Sequence, residues 1–209
     1  MNLKICGVTT AADVALVAAS GATHLGLNFW PRSKRFVGAL DPLRDSLRAA
    51  QAAGIQLVGV FVNATVDEIT EAVARASLDI VQLHGDESAG DALAIEDATA
   101  RPIWKAVSLA GPADVDELDA WPVAALLLDA PRGGSGVTFD WSLAAEARRR
   151  DPQRRFVLAG GLTPDNVAAA IAEVRPWAVD VASGCESAPG VKDPAKLAAF
   201  VDAVLRGQA

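Results

Sequence analysis

The chain has 209 residues, 51% hydrophobic and 22% charged, a composition that excludes intrinsic disorder and suits one core of the smaller α/β-barrel size. Its net charge of −7 argues against nucleic acid as a partner, since phosphate binding needs a basic face and the runs Arg148 to Arg150 and Arg154 to Arg155 read as a solvated helix end. Every apolar run falls short of the roughly 20 residues that cross a bilayer, and MNLKICGVTT enters a strand without a secretory signal, so a cytoplasmic protein away from membranes is expected.

In chain order, eight short apolar runs read as strands: Leu3 to Cys6, His24 to Asn28, Gln56 to Val62, Ile80 to Leu83, Ile103 to Val107, Ala124 to Leu128, Phe156 to Ala159 and Ala178 to Val181. Between them lie alanine-rich segments of helical spacing at Ala11 to Ser20, Pro42 to Ala53, Val66 to Ala76, Ser142 to Arg150, Asp165 to Val174 and Pro194 to Leu205. Thr10, Thr65 with Glu68, and Thr163 before Pro164 mark helix starts, whereas Pro112 to Leu118 is weak and Gly90 is expected to break Asp86 to Ala98. Runs such as LVGVFV and AALLL show no in-out alternation, so both strand faces are buried and the sheet is parallel. No GxGxxG turn follows the first strand, and candidate motifs follow six different strands. The reading is therefore an α/β fold, a single-domain (β/α)8 TIM barrel spanning residues 1–209, in which those loops converge on one mouth.

The candidate residues follow from that mouth. Cys6 ends strand one as core filler or as a chemical group. Lys4, two residues earlier on the same side, is placed either to favour a thiolate or to bind substrate. After strand two, Arg32, Lys34 and Arg35 lie among Phe29, Trp30 and Phe36, either as an anchored surface loop or as an arginine fork for a carboxylate. Of the two histidines, His24 begins a strand at the far end of the barrel and reads as structural, while His84 faces the mouth or braces a loop. Asp129 ends strand six at an apolar mouth, a setting that suits a general acid, before a loop containing Gly133, Gly134 and Gly136. Gly160 and Gly161 after strand seven, and Ser183 and Gly184 after strand eight, occupy the usual barrel position for a phosphate held by backbone N–H groups. Asn63-Ala64-Thr65 has the form of a glycosylation acceptor, but Thr65 is better explained as a helix cap. With two cysteines and two histidines, neither a disulfide scaffold nor a metal site is expected.

Taken together, KICG with Thr9, GLNFWPRSKRF, VGVFVN, VQLHGDE, LLLDAPRGGSGVTFDW, LAGGLTPDNV, VDVASGCE and PGVKD resemble, in order, the phosphoribosylanthranilate isomerase family of tryptophan biosynthesis. The resemblance runs from about residue 3 to residue 193. It implies an Amadori rearrangement of N-(5-phosphoribosyl)anthranilate, a small phosphorylated substrate, without cofactor or metal, by a monomer or homodimer. It assigns Cys6 as general base at sugar C2′, Asp129 as general acid at the ring oxygen, Arg35 to the anthranilate carboxylate, and Gly160, Gly161, Ser183 and Gly184 to the phosphate turns. Lys34, Phe36 and Cys185 depart from the family pattern, and Cys185 is expected near Cys6 at the same rim, so that oxidants would inactivate the protein partly through Cys185. Two rivals remain. A histidine-pathway isomerase would use two aspartates, at strands one and five, and phosphate turns in both halves; a barrel that only binds sugar phosphate would lack the acid-base pair.

Overall fold

Residues 1–130 and 140–208 are described in the computed structural model. The strands β1 (Asn2–Cys6), β2 (His24–Asn28), β3 (Gln56–Phe61), β4 (Ile80–Leu83), β5 (Ile103–Ser108), β6 (Ala125–Asp129), β7 (Phe156–Leu158) and β8 (Ala178–Val181) pair in parallel in chain order. β8 returns to β1, with Lys4 beside Asp180, and closes the barrel. Alternate residues explain the unbroken apolar runs, because each strand buries two faces. Val58, Ile80, Trp104, Leu127 and Val157 form a cluster inside the ring. Leu25, Leu27, Leu57, Leu126 and Leu158 belong to a second cluster with helix residues such as Val14, Ile69 and Phe200. Each fully buried Leu or Phe contributes roughly 1.5–3 kcal/mol.

Helices α1 (Ala11–Ala19), α2 (Arg44–Ala52), α3 (Val66–Ala76), α4 (Ala89–Thr99), α5 (Pro112–Asp116), α6 (Trp141–Arg150), α7 (Val167–Val174) and α8 (Pro194–Gly207) follow the strands in turn. Thr10 accepts from Asp13 N–H, and Thr65 and Glu68 form a reciprocal capping box. Two helix expectations need correction. Gly90 does not break α4, because it sits in the first turn behind a Ser88–Asp91 capping box, where helical hydrogen bonding costs it little. α7 starts four residues after Thr163: the Asn166 side chain accepts from Thr163 N–H at 2.8 Å and donates to the Gly161 carbonyl at 3.0 Å, so residues 163–166 form a turn that braces the mouth.

The sequence reading also missed a small antiparallel hairpin after β8, formed by β9 (Glu186–Ala188) and β10 (Val191–Lys192). At the other end of the barrel His24 packs against Trp104 and Trp177, ring centroids 5.1 and 5.8 Å away. Burial, helped by the nearby charge of Lys4, pushes the His24 pKa down from 6.5 to about 4, so a neutral imidazole plugs that end. No helix among the described residues is long and apolar enough to cross a membrane.

Candidate active site

The C-terminal strand ends open into a cavity of about 960 Å³. Its wall includes Cys6, Arg35, Asp129, Gly160, Gly161 and Ser183, which come from five different strand ends. Gly184 does not line it. A side chain there would run into the Leu162 carbonyl. Gly184 therefore lets the turn after β8 close against the turn after β7. Gly160 and Gly161 both have positive φ, 80° and 63°, values that glycine adopts without strain, so backbone free of side chains bends past the cavity there.

Cys6 is partly exposed and points inward from β1 on the same side as Lys4. Gly26 on β2 makes room for both: a methyl group there would stand 2.9 Å from Cys6 Sγ and 3.1 Å from Lys4 Cε. Lys4 is fully buried and pairs with Asp180 at 2.9 Å. Lys4 does favour the thiolate, as expected, but it does not decide the ionisation. Burial of the thiol outweighs the Lys4 ammonium, and Asp180 acts against ionisation as well, so the Cys6 pKa lies above its ordinary value.

Asp129 closes β6 opposite Ser108 of β5 and is 5% exposed. Its Oδ1 accepts from Ala130 N–H at 2.8 Å, and Gly160 leaves space for it, since a methyl group there would lie 2.7 Å from the same oxygen. The other oxygen, Oδ2, is 3.4 Å from His84 Nε2. Of the two places open to it, His84 thus takes the mouth, with Nδ1 3.0 Å from Gln82 Nε2. The His84 loop is pinned from outside the ring by Glu87, which accepts from Asn63 N–H at 2.7 Å, Gly85 N–H at 2.9 Å and Lys105 Nζ at 2.8 Å. The glycines Gly133, Gly134 and Gly136 lie outside the described residues.

Arg35 is not a free fork. Its Nε and Nη2 donate to Glu186 at 2.9 and 2.7 Å, and Gly7 gives its stem room. The same carboxylate accepts from Lys192 Nζ at 2.9 Å, and that ammonium also donates to the Cys6 carbonyl at 2.5 Å. Burial opposes ionisation of Glu186, but the hydrogen bonds from Arg35 and Lys192 prevail and hold its pKa below the usual carboxylate range. Sequence reasoning missed Glu186 and Lys192; the available signal was a carboxylate directly after the strand-eight turn, facing an arginine-rich loop.

Cys185 departs from expectation. It is fully buried, and burial pushes its thiol up to about 12, which disfavours the thiolate that an oxidant would attack. A second groove of about 350 Å³ runs beside the mouth along Trp30, Phe36, Leu40 and α3.

Residues 3–203 match the family model described as N-(5′-phosphoribosyl)anthranilate (PRA) isomerase. The N-(5′-phosphoribosyl)anthranilate isomerase of Magnetococcus marinus is 45% identical, with 100% of this chain and 97% of that protein covered. The crystal structure of phosphoribosyl anthranilate isomerase from Thermus thermophilus superposes with a TM-score of 0.84 at 37% identity, over 98% of each chain. A crystal structure of phosphoribosyl anthranilate isomerase in complex with reduced 1-(o-carboxyphenylamino)-1-deoxyribulose 5-phosphate gives 0.83 at 34%, also over 98% of each.

Proposed function

The chain belongs to the N-(5′-phosphoribosyl)anthranilate isomerase family, and from that premise we propose that Cys6 is its general base and Asp129 its general acid. It isomerises N-(5-phosphoribosyl)anthranilate to the 1-(2-carboxyphenylamino)-1-deoxyribulose 5-phosphate of tryptophan biosynthesis. The observation that carries the assignment is the order of groups around the ring: acid on β6, Gly160 and Gly161 after β7, Ser183 after β8, thiol on β1 and arginine after β2, all on one cavity.

A substrate with a phosphate at one end and a carboxylate at the other spans that arc. The turns at Gly160, Gly161 and Ser183 hold the phosphate, with Gly184 joining them, and Arg35 holds the carboxylate. Asp129 gives its proton to the ring oxygen, and the C1′–oxygen bond breaks as the nitrogen lone pair forms an iminium ion. Cys6 thiolate then removes the C2′ proton, and the electron pair moves to give an enolamine. Asp129 takes back a proton from O2′ and the Cys6 thiol gives its proton to C1′, which yields the ketose and restores both groups. Every proton removed is returned, so the chemistry calls for no redox cofactor or metal.

The site draws on one chain, which suits a monomer or a homodimer equally. We read residues 1–209 as one barrel domain, because β8 closes on β1 and α8 packs on α7. Two free cysteines, one of them the base, suit a reducing cytoplasm. Its partner is the small phosphorylated substrate, with no role for nucleic acid or membrane.

Cys6→Ser and Asp129→Asn test the roles. Each is expected to lower kcat by about 10²- to 10⁴-fold, while the reduced product analogue binds within a few-fold of the parent. Turnover that survives either change removes that residue from its role.

A further inference from the structure

Arg35 poses an electrostatic problem. A guanidinium clamped by a buried carboxylate has its charge offset, and an anion approaching it would meet a neutral pair. Glu186 is only 5% exposed, so water does little to screen it. The structure resolves this with a third charge: Lys192, 4% exposed, lies 2.9 Å from Glu186 Oε1. Arg35, Glu186 and Lys192 together carry one net positive charge, and Lys192 itself is turned to the Cys6 carbonyl rather than left free.

The geometry of the clamp matters as much. Glu186 engages Nε and Nη2 of Arg35, which fixes the guanidinium plane and leaves Nη1 outside the pair. A fixed plane is what a planar carboxylate needs. The partner carboxylate is set by the hairpin after β8, where Gly190 N–H donates to Glu186 Oε1 at 3.3 Å and Lys196 Nζ to the Glu186 carbonyl at 2.7 Å.

We propose that Glu186 and Lys192 are positioning residues for the substrate carboxylate: Glu186 orients Arg35, and Lys192 neutralises Glu186 so that the charge of Arg35 remains available. The link from Lys192 to the Cys6 carbonyl holds this anchor in register with the base. The proposal rests on Arg35 as the carboxylate anchor.

The test compares two substrates generated from ribose 5-phosphate, one with anthranilate and one with aniline, which lacks the carboxylate. The quantity read is the ratio of their kcat/KM values on the same preparation, which cancels any loss of active protein. Arg35→Ala, Glu186→Gln and Lys192→Met are each expected to lower that ratio at least tenfold, because KM rises far more for the anthranilate substrate than for the aniline substrate. The double variant Glu186→Gln/Lys192→Met, which removes both buried charges at once, is expected to do the same should a single variant fold poorly. A collapse in Arg35→Ala with the ratio kept within twofold in Glu186→Gln or Lys192→Met overturns the proposal and leaves the anchor standing. A ratio unchanged in Arg35→Ala removes the anchor itself.

Discussion

As the proposed base, Cys6 has to give up a proton before it can take one, and its surroundings pull both ways. Burial and Asp180 favour the thiol, and Lys4 favours the thiolate, with burial the largest effect. The sign follows directly: a base whose pKa is raised is mostly protonated at neutral pH, so the active fraction grows as pH rises. Titrating the ultraviolet thiolate absorbance of a Cys185→Ala variant is expected to place the Cys6 midpoint above the ordinary value of about 8.5, with kcat/KM climbing through the same range. A midpoint at or below neutrality contradicts this picture. Residue identity at the mouth was readable because strand parity puts Lys4 and Cys6 on one side and strand ends at the mouth. Their partners were not readable, since Lys4 and Asp180 are 176 residues apart and Arg35 and Glu186 are 151 apart. No local pattern carries a pairing made by ring closure.

The proposed phosphate cup belongs to two turns, and its shape depends on how closely they meet. Gly184 permits that approach, because any side chain there would press on the backbone of Leu162. Gly184→Ala is therefore expected to separate the turns at a cost of about 1–3 kcal/mol, seen as a KM raised roughly 5- to 150-fold with a smaller change in kcat. Measuring both constants decides it; an unchanged KM means that the turns do not depend on that contact. Glycine pairs announced these turns in the sequence. The bracing by Asn166 did not show, because a Thr-Pro pair is also an ordinary helix start, and it is the local side-chain bonds of Asn166 that accompany the start of α7 at Val167. The hairpin β9–β10 escaped for a similar reason: three and two residues are too short for a periodic signal.

At the scale of the molecule, closure of the ring gives the chemistry its geometry. Eight strands were legible because each is buried on both faces and so reads as an apolar run, and the inside-outside division follows from alternation along each strand. The interior is not uniformly apolar, however. Toward the closed end sit His24 and two tryptophans, then the Lys4–Asp180 pair, and above them the open cavity. The same barrel thus places the proposed acid and the proposed base on separate strands, with the proposed anion-holding groups between and beside them. The most direct measurement is the conversion of freshly generated N-(5-phosphoribosyl)anthranilate, followed by chromatography, by the protein and by its Cys6→Ala variant, with no metal or nucleotide added. The account predicts rapid conversion to the deoxyribulose product by the parent and loss of conversion in the variant; no conversion by the parent, or equal rates in both, would contradict it.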